Sequence, residues 1–260
     1  MSRIEQVFAR PNHKALIAFL TVGYPTIDAT LELVPALVDG GCDIVELGIP
    51  FSDPLADGAT IQRASYHALQ QGVTPKICLE VAQKLRQKVN VPLLFMGYYN
   101  PLFHYGLSRF CQECAQNGVD GLIIPDLPPE EGSELEELTQ KHGLDLVYLA
   151  SPTTTEERLG FIAARSRGFI YLVSIKGVTG ARKAVPADLQ GLVAKLKSKT
   201  SKPVCIGFGI STPEQARQVA TFADGVIVGS RILEIVESSE HPAQAAASFM
   251  RQLREALDKA

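Results

Sequence analysis

Eight apolar runs of strand length recur along the chain, at residues 15–21, 43–47, 92–96, 121–124, 144–149, 169–173, 203–206 and 225–228. They are nearly continuous rather than alternating, the pattern of strands buried on both faces of a parallel sheet. Between them lie stretches with helical spacing, at 107–116, 130–141, 155–164, 187–197 and 213–222. A last such stretch, 243–257, is suited to cover the outside of the sheet. Pro35 falls inside the first crossover helix and is expected to kink or end it. Ahead of the first strand, Ser2 and Glu5 fit a capping box, and Ile4, Val7 and Phe8 share one helical face. That predicts an extra N-terminal helix.

A weak internal repeat supports the strand count. Gly41-Cys42-Asp43, Gly118-Val119-Asp120, Gly143-Leu144-Asp145 and Ala223-Asp224 each precede an apolar run. A helix ends, usually on a glycine able to take a positive φ; an aspartate turns the chain; a buried strand begins. Eight such units without a linker or low-complexity break predict an α/β fold. The expected architecture is a single (βα)8 TIM barrel spanning residues 1–260 as one domain. A dinucleotide-binding open sheet would carry a glycine fingerprint after its first strand, and Gly23-Tyr24-Pro25 stands there instead.

Composition narrows the classes of function. Of the 260 residues 46% are hydrophobic and 20% charged, and the net charge is −3. No basic surface for nucleic acid is implied, since the densest cationic stretch, 195–202, reads as a helix end and its exit. No apolar run approaches the roughly 18 residues of a membrane span. The N-terminus lacks the apolar core of a signal peptide, so the cytoplasm is expected. The five cysteines are scattered, and Cys111 and Cys114 sit in an amphipathic stretch without a second pair or a nearby histidine; buried thiols are expected. The five histidines show no ligand spacing, so no metal is expected.

The chemistry concentrates where the predicted strands end, as it does in barrels of this type. Residues 45–58 read VELGIPFSDPLADG. Glu46 lies within an apolar strand end, where desolvation would raise its pKa and suit it to acid–base work. Asp57 follows eleven residues later on a Gly- and Pro-rich loop, either as a second acid or as one half of an Asp-Gly turn. Asp53, ahead of Pro54, reads as structural. Residues 177–180, Gly-Val-Thr-Gly, form either a lid or a flexible connection. Gly207-Phe208-Gly209 and Gly229-Ser230 follow the last two strands, and glycine-rich helix starts there favour an anion such as phosphate. Arg231 could add a cation or face solvent. Tyr171 and Phe19 either line a pocket at the barrel mouth or fill the core.

Residues 47–58, with the Gly177–Gly180 segment and Gly207-Phe208-Gly209-Ile210-Ser211, resemble the tryptophan synthase alpha subunit family over essentially the whole chain. The resemblance implies a barrel that cleaves indole-3-glycerol phosphate to indole and D-glyceraldehyde 3-phosphate without a cofactor of its own. It implies Glu46 as the main acid–base catalyst, Asp57 as partner of the indole N–H, and Tyr171 as an active-site hydroxyl. Phe19 would pack on the indole, and Thr179 would meet Asp57 when the loops close. Gly180, Gly209, Gly229 and Ser230 would hold the phosphate. It further implies an αββα complex with a beta subunit that carries pyridoxal phosphate and receives the indole, docked on residues 50–59, 100–103 and Pro128. Two positions depart from the family pattern: Ala59 stands where proline is usual, and Lys176 places a charge ahead of the 177–180 segment. The rival enzyme reading is an indole-glycerol-phosphate synthase or phosphosugar isomerase. The synthase would need a catalytic lysine on an early strand, and Lys14, the only candidate, precedes the first. A non-enzymatic regulator of a beta subunit need not retain both Glu46 and Asp57.

Overall fold

The computed structural model describes residues 1–173, 188–207 and 209–260. The strands are β1 (Ala15–Thr21), β2 (Ile44–Gly48), β3 (Leu93–Met96), β4 (Gly121–Ile123), β5 (Asp145–Val147), β6 (Leu149–Ala150), β7 (Ile170–Val173), β8 (Val204–Gly207) and β9 (Gly225–Val228). All pair in parallel in the order β5-β4-β3-β2-β1-β9-β8-β7-β6. The two ends of that order, β5 and β6, are separated along the chain by Tyr148 alone. They are the halves of one strand, so the sheet closes on itself as the expected eight-stranded (βα)8 barrel. The predicted run 144–149 is broken at Tyr148 because its N–H donates to Ser166 Oγ at 3.1 Å and its hydroxyl to Glu136 Oε1 at 2.6 Å.

The helices are α1 (Arg3–Phe8), α2 (Ile27–Asp39), α3 (Ala59–Gln70), α4 (Pro75–Arg86), α5 (Tyr99–Tyr105) and α6 (Leu107–Gln116). Then follow α7 (Ser133–Lys141), α8 (Glu156–Arg165), α9 (Leu189–Lys197), α10 (Pro213–Ala220), α11 (Ser230–Ser238) and α12 (Pro242–Leu257). Outward strand residues such as Leu16, Leu20, Val45, Leu47 and Phe95 bury against this helical ring. The inward set, with Ile17, Ile44, Leu94, Ile123, Val147 and Phe169, forms a second cluster inside the barrel. Helix α1 carries the predicted Ser2–Glu5 capping box, and its Ile4 and Val7 join that inner cluster and plug the barrel floor.

Pro35 does not end its helix: α2 runs through it from Ile27 to Asp39. The carbonyl that a proline nitrogen leaves without a partner is four residues back, at Leu31. Lys88 Nζ donates to Leu31 O at 3.2 Å, which satisfies it from outside the helix. Ala59 is the first residue of α3, a position that also accepts proline.

The aspartate repeat has a direct structural meaning. Asp43 Oδ2 accepts the Leu16 N–H, Asp120 Oδ2 the Leu93 N–H and Asp224 Oδ2 the Val204 N–H, each at 2.9 Å. Each aspartate opening one strand thus holds the start of the strand beside it. Asp145 differs: it accepts Ser2 Oγ at 2.9 Å and ties α1 to the floor. Asp120 also pairs with Arg86 at 2.7 Å and Arg3 at 2.8 Å. Asp120→Ala leaves the half-buried Arg86 guanidinium without its carboxylate partner. It is expected to destabilise the barrel by about 3 kcal/mol, read as a lower urea midpoint.

Candidate active site

Parallel strand ends collect at one mouth of the barrel, and Phe19, Asp57, Tyr171, Gly209, Gly229 and Ser230 meet there. Phe19 on β1 is the register partner of Glu46 on β2, which is in turn the partner of Leu94 on β3. Phe19 fits because its neighbours lack side chains. A Cβ on Gly48 would lie 2.7 Å from the ring, and one on Gly229 would lie 3.1 Å from it. Tyr171 points inward from β7, and a Cβ on Gly207 would lie 2.5 Å from its hydroxyl oxygen. Glycines on adjacent strands therefore make room for both rings.

A cavity of about 120 Å³ opens at this mouth. Phe19, Asp57, Tyr171, Gly209, Gly229 and Ser230 all line it. Its remaining wall is mostly apolar, from Ile61, Met96, Pro125, Leu149, Val173 and Ile227. Thr179 and Gly180, with the whole 177–180 segment and Lys176, lie outside the described residues, as does Phe208.

Glu46 does not line the cavity. It is fully buried in the layer that contains Phe19, and neither carboxyl oxygen has a hydrogen-bond partner among the described residues. Burial alone raises its pKa to about 8, so it holds a proton at neutral pH. Its charge, when present, is felt by Tyr171. The Tyr171 hydroxyl is held well above the usual tyrosine range, first by burial and then by Glu46 and Asp57.

Asp57 is half-buried at the mouth. Desolvation raises its pKa to about 6, opposed by a hydrogen bond from Tyr98. Tyr98 was not foreseen from the sequence. Its hydroxyl accepts the Ala56 N–H at 2.9 Å, and its ring lies against Phe51 with centroids 5.3 Å apart. It thereby pins the Asp57 loop to the end of β3. The signal available was its place two residues past a strand end. Asp53 is exposed, bonded by its neighbour Ser52 at 2.6 Å, in keeping with a structural part in the loop.

The two predicted anion loops differ. Thr212 caps α10 by accepting the Gln215 N–H, with Pro213 as the first helical residue. Helix α11 begins at Ser230 with Gly229 at its cap and no side-chain cap bond. Among the described residues its first amides are therefore open beside the cavity, where Gly209 also stands with φ +55°. Arg231 is exposed and pairs with Glu234 at 3.2 Å. Lys14, the residue that a synthase-type reading would need, donates to Ala223 O at 2.8 Å beside the start of β1, away from the mouth. All five cysteines are buried and free. Among the described residues no group of three His, Cys, Asp or Glu side chains could hold a metal, and no helix is long and apolar enough to cross a membrane.

The chain is similar to known proteins over its full length. The family model described as tryptophan synthase alpha chain matches residues 6–260. The tryptophan synthase alpha chain of Dehalococcoides mccartyi is 56% identical over 258 residues, covering 99% of this chain and all of that one. That of Geobacter sulfurreducens is 48% identical, covering 99% of each. The crystal structure of the alpha subunit from Legionella pneumophila superposes with a TM-score of 0.91 at 38% identity, covering 100% of both chains. A structure of Mycobacterium tuberculosis tryptophan synthase gives a TM-score of 0.92 at 37% identity, with 98% of each chain covered. With matches of this extent, the chain belongs to the tryptophan synthase alpha chain family.

Proposed function

We infer that the chain is the lyase subunit of a tryptophan synthase: it cleaves indole-3-glycerol phosphate to indole and D-glyceraldehyde 3-phosphate, and the indole passes to a beta subunit. The observation that carries this reading is Glu46, a fully buried carboxyl without a partner among the described residues, set beneath an apolar slot that ends on an open helix N-terminus.

The substrate's indole lies against Phe19 in the apolar slot, with its N–H on the Asp57 carboxylate. The phosphate sits on the amides of Gly209, Gly229 and Ser230. Glu46, protonated, gives its proton to C3 of the indole, and positive charge appears on the ring nitrogen. Asp57 is ionised and already in place, so it stabilises that charge more than it stabilises the bound substrate. The Glu46 carboxylate then takes the proton of the glycerol hydroxyl. The carbon–carbon bond breaks, its electron pair returns to the indole ring, and the aldehyde forms. Glu46 ends as it began, protonated. The Tyr171 hydroxyl, kept neutral, bonds the glycerol portion.

This reaction draws on no cofactor, and pyridoxal phosphate belongs to the beta subunit. The partner complex is an αββα heterotetramer. Its docking surface on this chain is the strand-end face at residues 50–59, 100–103 and Pro128. Leu55 is 94% exposed there, and Phe103 is 61% exposed with its ring stacked on Tyr99. Large apolar side chains left in solvent on one face mark a protein-binding surface. We place the chain in the cytoplasm, as a single domain over residues 1–260.

The decisive measurement is indole release from indole-3-glycerol phosphate by the purified chain, alone and with a beta subunit. Slow release alone and faster release with the partner are expected; no indole in either case overturns the assignment. The acid–base roles also set a pH profile. Asp57 must be ionised and Glu46 protonated, so kcat/KM rises through pH of about 6 and falls through about 8. A profile flat across this range removes both assignments.

A further inference from the structure

A second, much smaller cavity of about 10 Å³ lies beneath the Asp57 loop. Thr21, Gly48, Asp57, Ser65 and Tyr98 are among the residues that line it. Its volume matches one water molecule, and its wall is polar enough to bond one. Thr21 closes β1 on the inward-facing side and is 1% exposed. Its hydroxyl is buried with no hydrogen-bond partner among the described residues. Ser65 Oγ accepts the Phe51 N–H at 3.2 Å, which leaves its own proton available to donate. A buried hydroxyl is rarely left unbonded, because it gives up its bonds to water for nothing in return.

We propose that Thr21 is a positioning residue for Asp57: its hydroxyl holds a single water in this cavity, and that water donates to the Asp57 carboxylate. Tyr98 fixes the loop from the side of β3, and Thr21 fixes the carboxylate from the side of β1. Asp57 is then aimed at the slot before the substrate arrives, rather than being ordered by it. The proposal rests on the role given to Asp57 above.

Thr21→Val keeps the shape and removes the hydroxyl, while Thr21→Ser keeps the hydroxyl. We expect Thr21→Val to lower kcat about fivefold, the worth of one net hydrogen bond, with KM little changed. Thr21→Ser should restore most of the rate. If both variants lose rate equally, Thr21 acts only through packing and the proposal fails. If Thr21→Val turns over normally while Asp57→Asn does not, the proposal fails and the role of Asp57 stands. If Asp57→Asn is also normal, both fail. A high-resolution crystal structure of the unaltered chain gives an answer that no folding defect can obscure. A water within hydrogen-bond distance of Thr21 Oγ1 and the Asp57 carboxylate supports the proposal, and an unhydrated cavity overturns it.

Discussion

Glu46→Gln removes nearly all indole release, with a loss in kcat on the order of 10³-fold, while substrate still binds. Glutamine has the shape of a protonated glutamate and fills the same space inside the barrel, but it can neither give a proton to C3 nor take one from the glycerol hydroxyl. The same substitution raises stability. A carboxyl whose folded pKa of about 8 stands above its usual 4.5 holds its proton more tightly when folded than when unfolded. Its contribution to stability is complete below pH of about 4.5 and is lost as pH climbs to about 8. Glutamine never ionises and escapes that loss. Above pH 8 the variant is expected to exceed the parent by on the order of 4 kcal/mol, and the gap narrows toward pH 4.5. Paired melts at pH 5 and pH 8.5, with single-turnover indole release, check both halves. A variant that is less stable at pH 8.5, or that turns over at the parent's rate, shows Glu46 to be a packing residue.

That prediction could be framed from the sequence only in part. A glutamate inside Ile44-Val45-Glu46-Leu47 announced itself by its surroundings, and the strand Ala15–Thr21 and the helix Leu107–Gln116 have the bounds their patterns predicted. Periodicity is a local property, and local patterns were readable. What depends on closure of the barrel was not. Phe19 is seated between Gly48 and Gly229, and the second of these lies some two hundred residues along the chain. Only the pairing of β1 with both β2 and β9 brings them together. Pro35 does not end its helix for a related reason: the partner of the carbonyl it leaves free is Lys88, supplied by the stretch after α4. Tyr98 and Thr21 gain their places at the site only because the loop folds back over them. The Gly-x-Gly after β8 and the Gly-Ser after β9 looked equivalent, yet the helix start after β9 is the one left without a side-chain cap.

Asp57→Asn lowers kcat by roughly 10² to 10³-fold and changes KM by less than about threefold. The asparagine oxygen can still accept the indole N–H, so the ground-state complex keeps its hydrogen bond. The net negative charge is gone, and that charge matters most when the ring nitrogen becomes cationic. A loss confined to kcat is the mark of an interaction that strengthens only on the way to the transition state. The pH profile supplies the independent check. In the parent, the rise through pH of about 6 belongs to ionisation of Asp57, whose pKa burial has lifted and the Tyr98 hydroxyl partly restrains. Asparagine does not titrate, so the acid limb should vanish while the fall near pH 8, set by Glu46, persists. A variant that keeps the acid limb, with kcat and KM both unchanged, assigns it to another group and leaves Asp57 as turn chemistry alone. A variant with both limbs intact but a much higher KM would place Asp57 in substrate binding rather than in charge stabilisation.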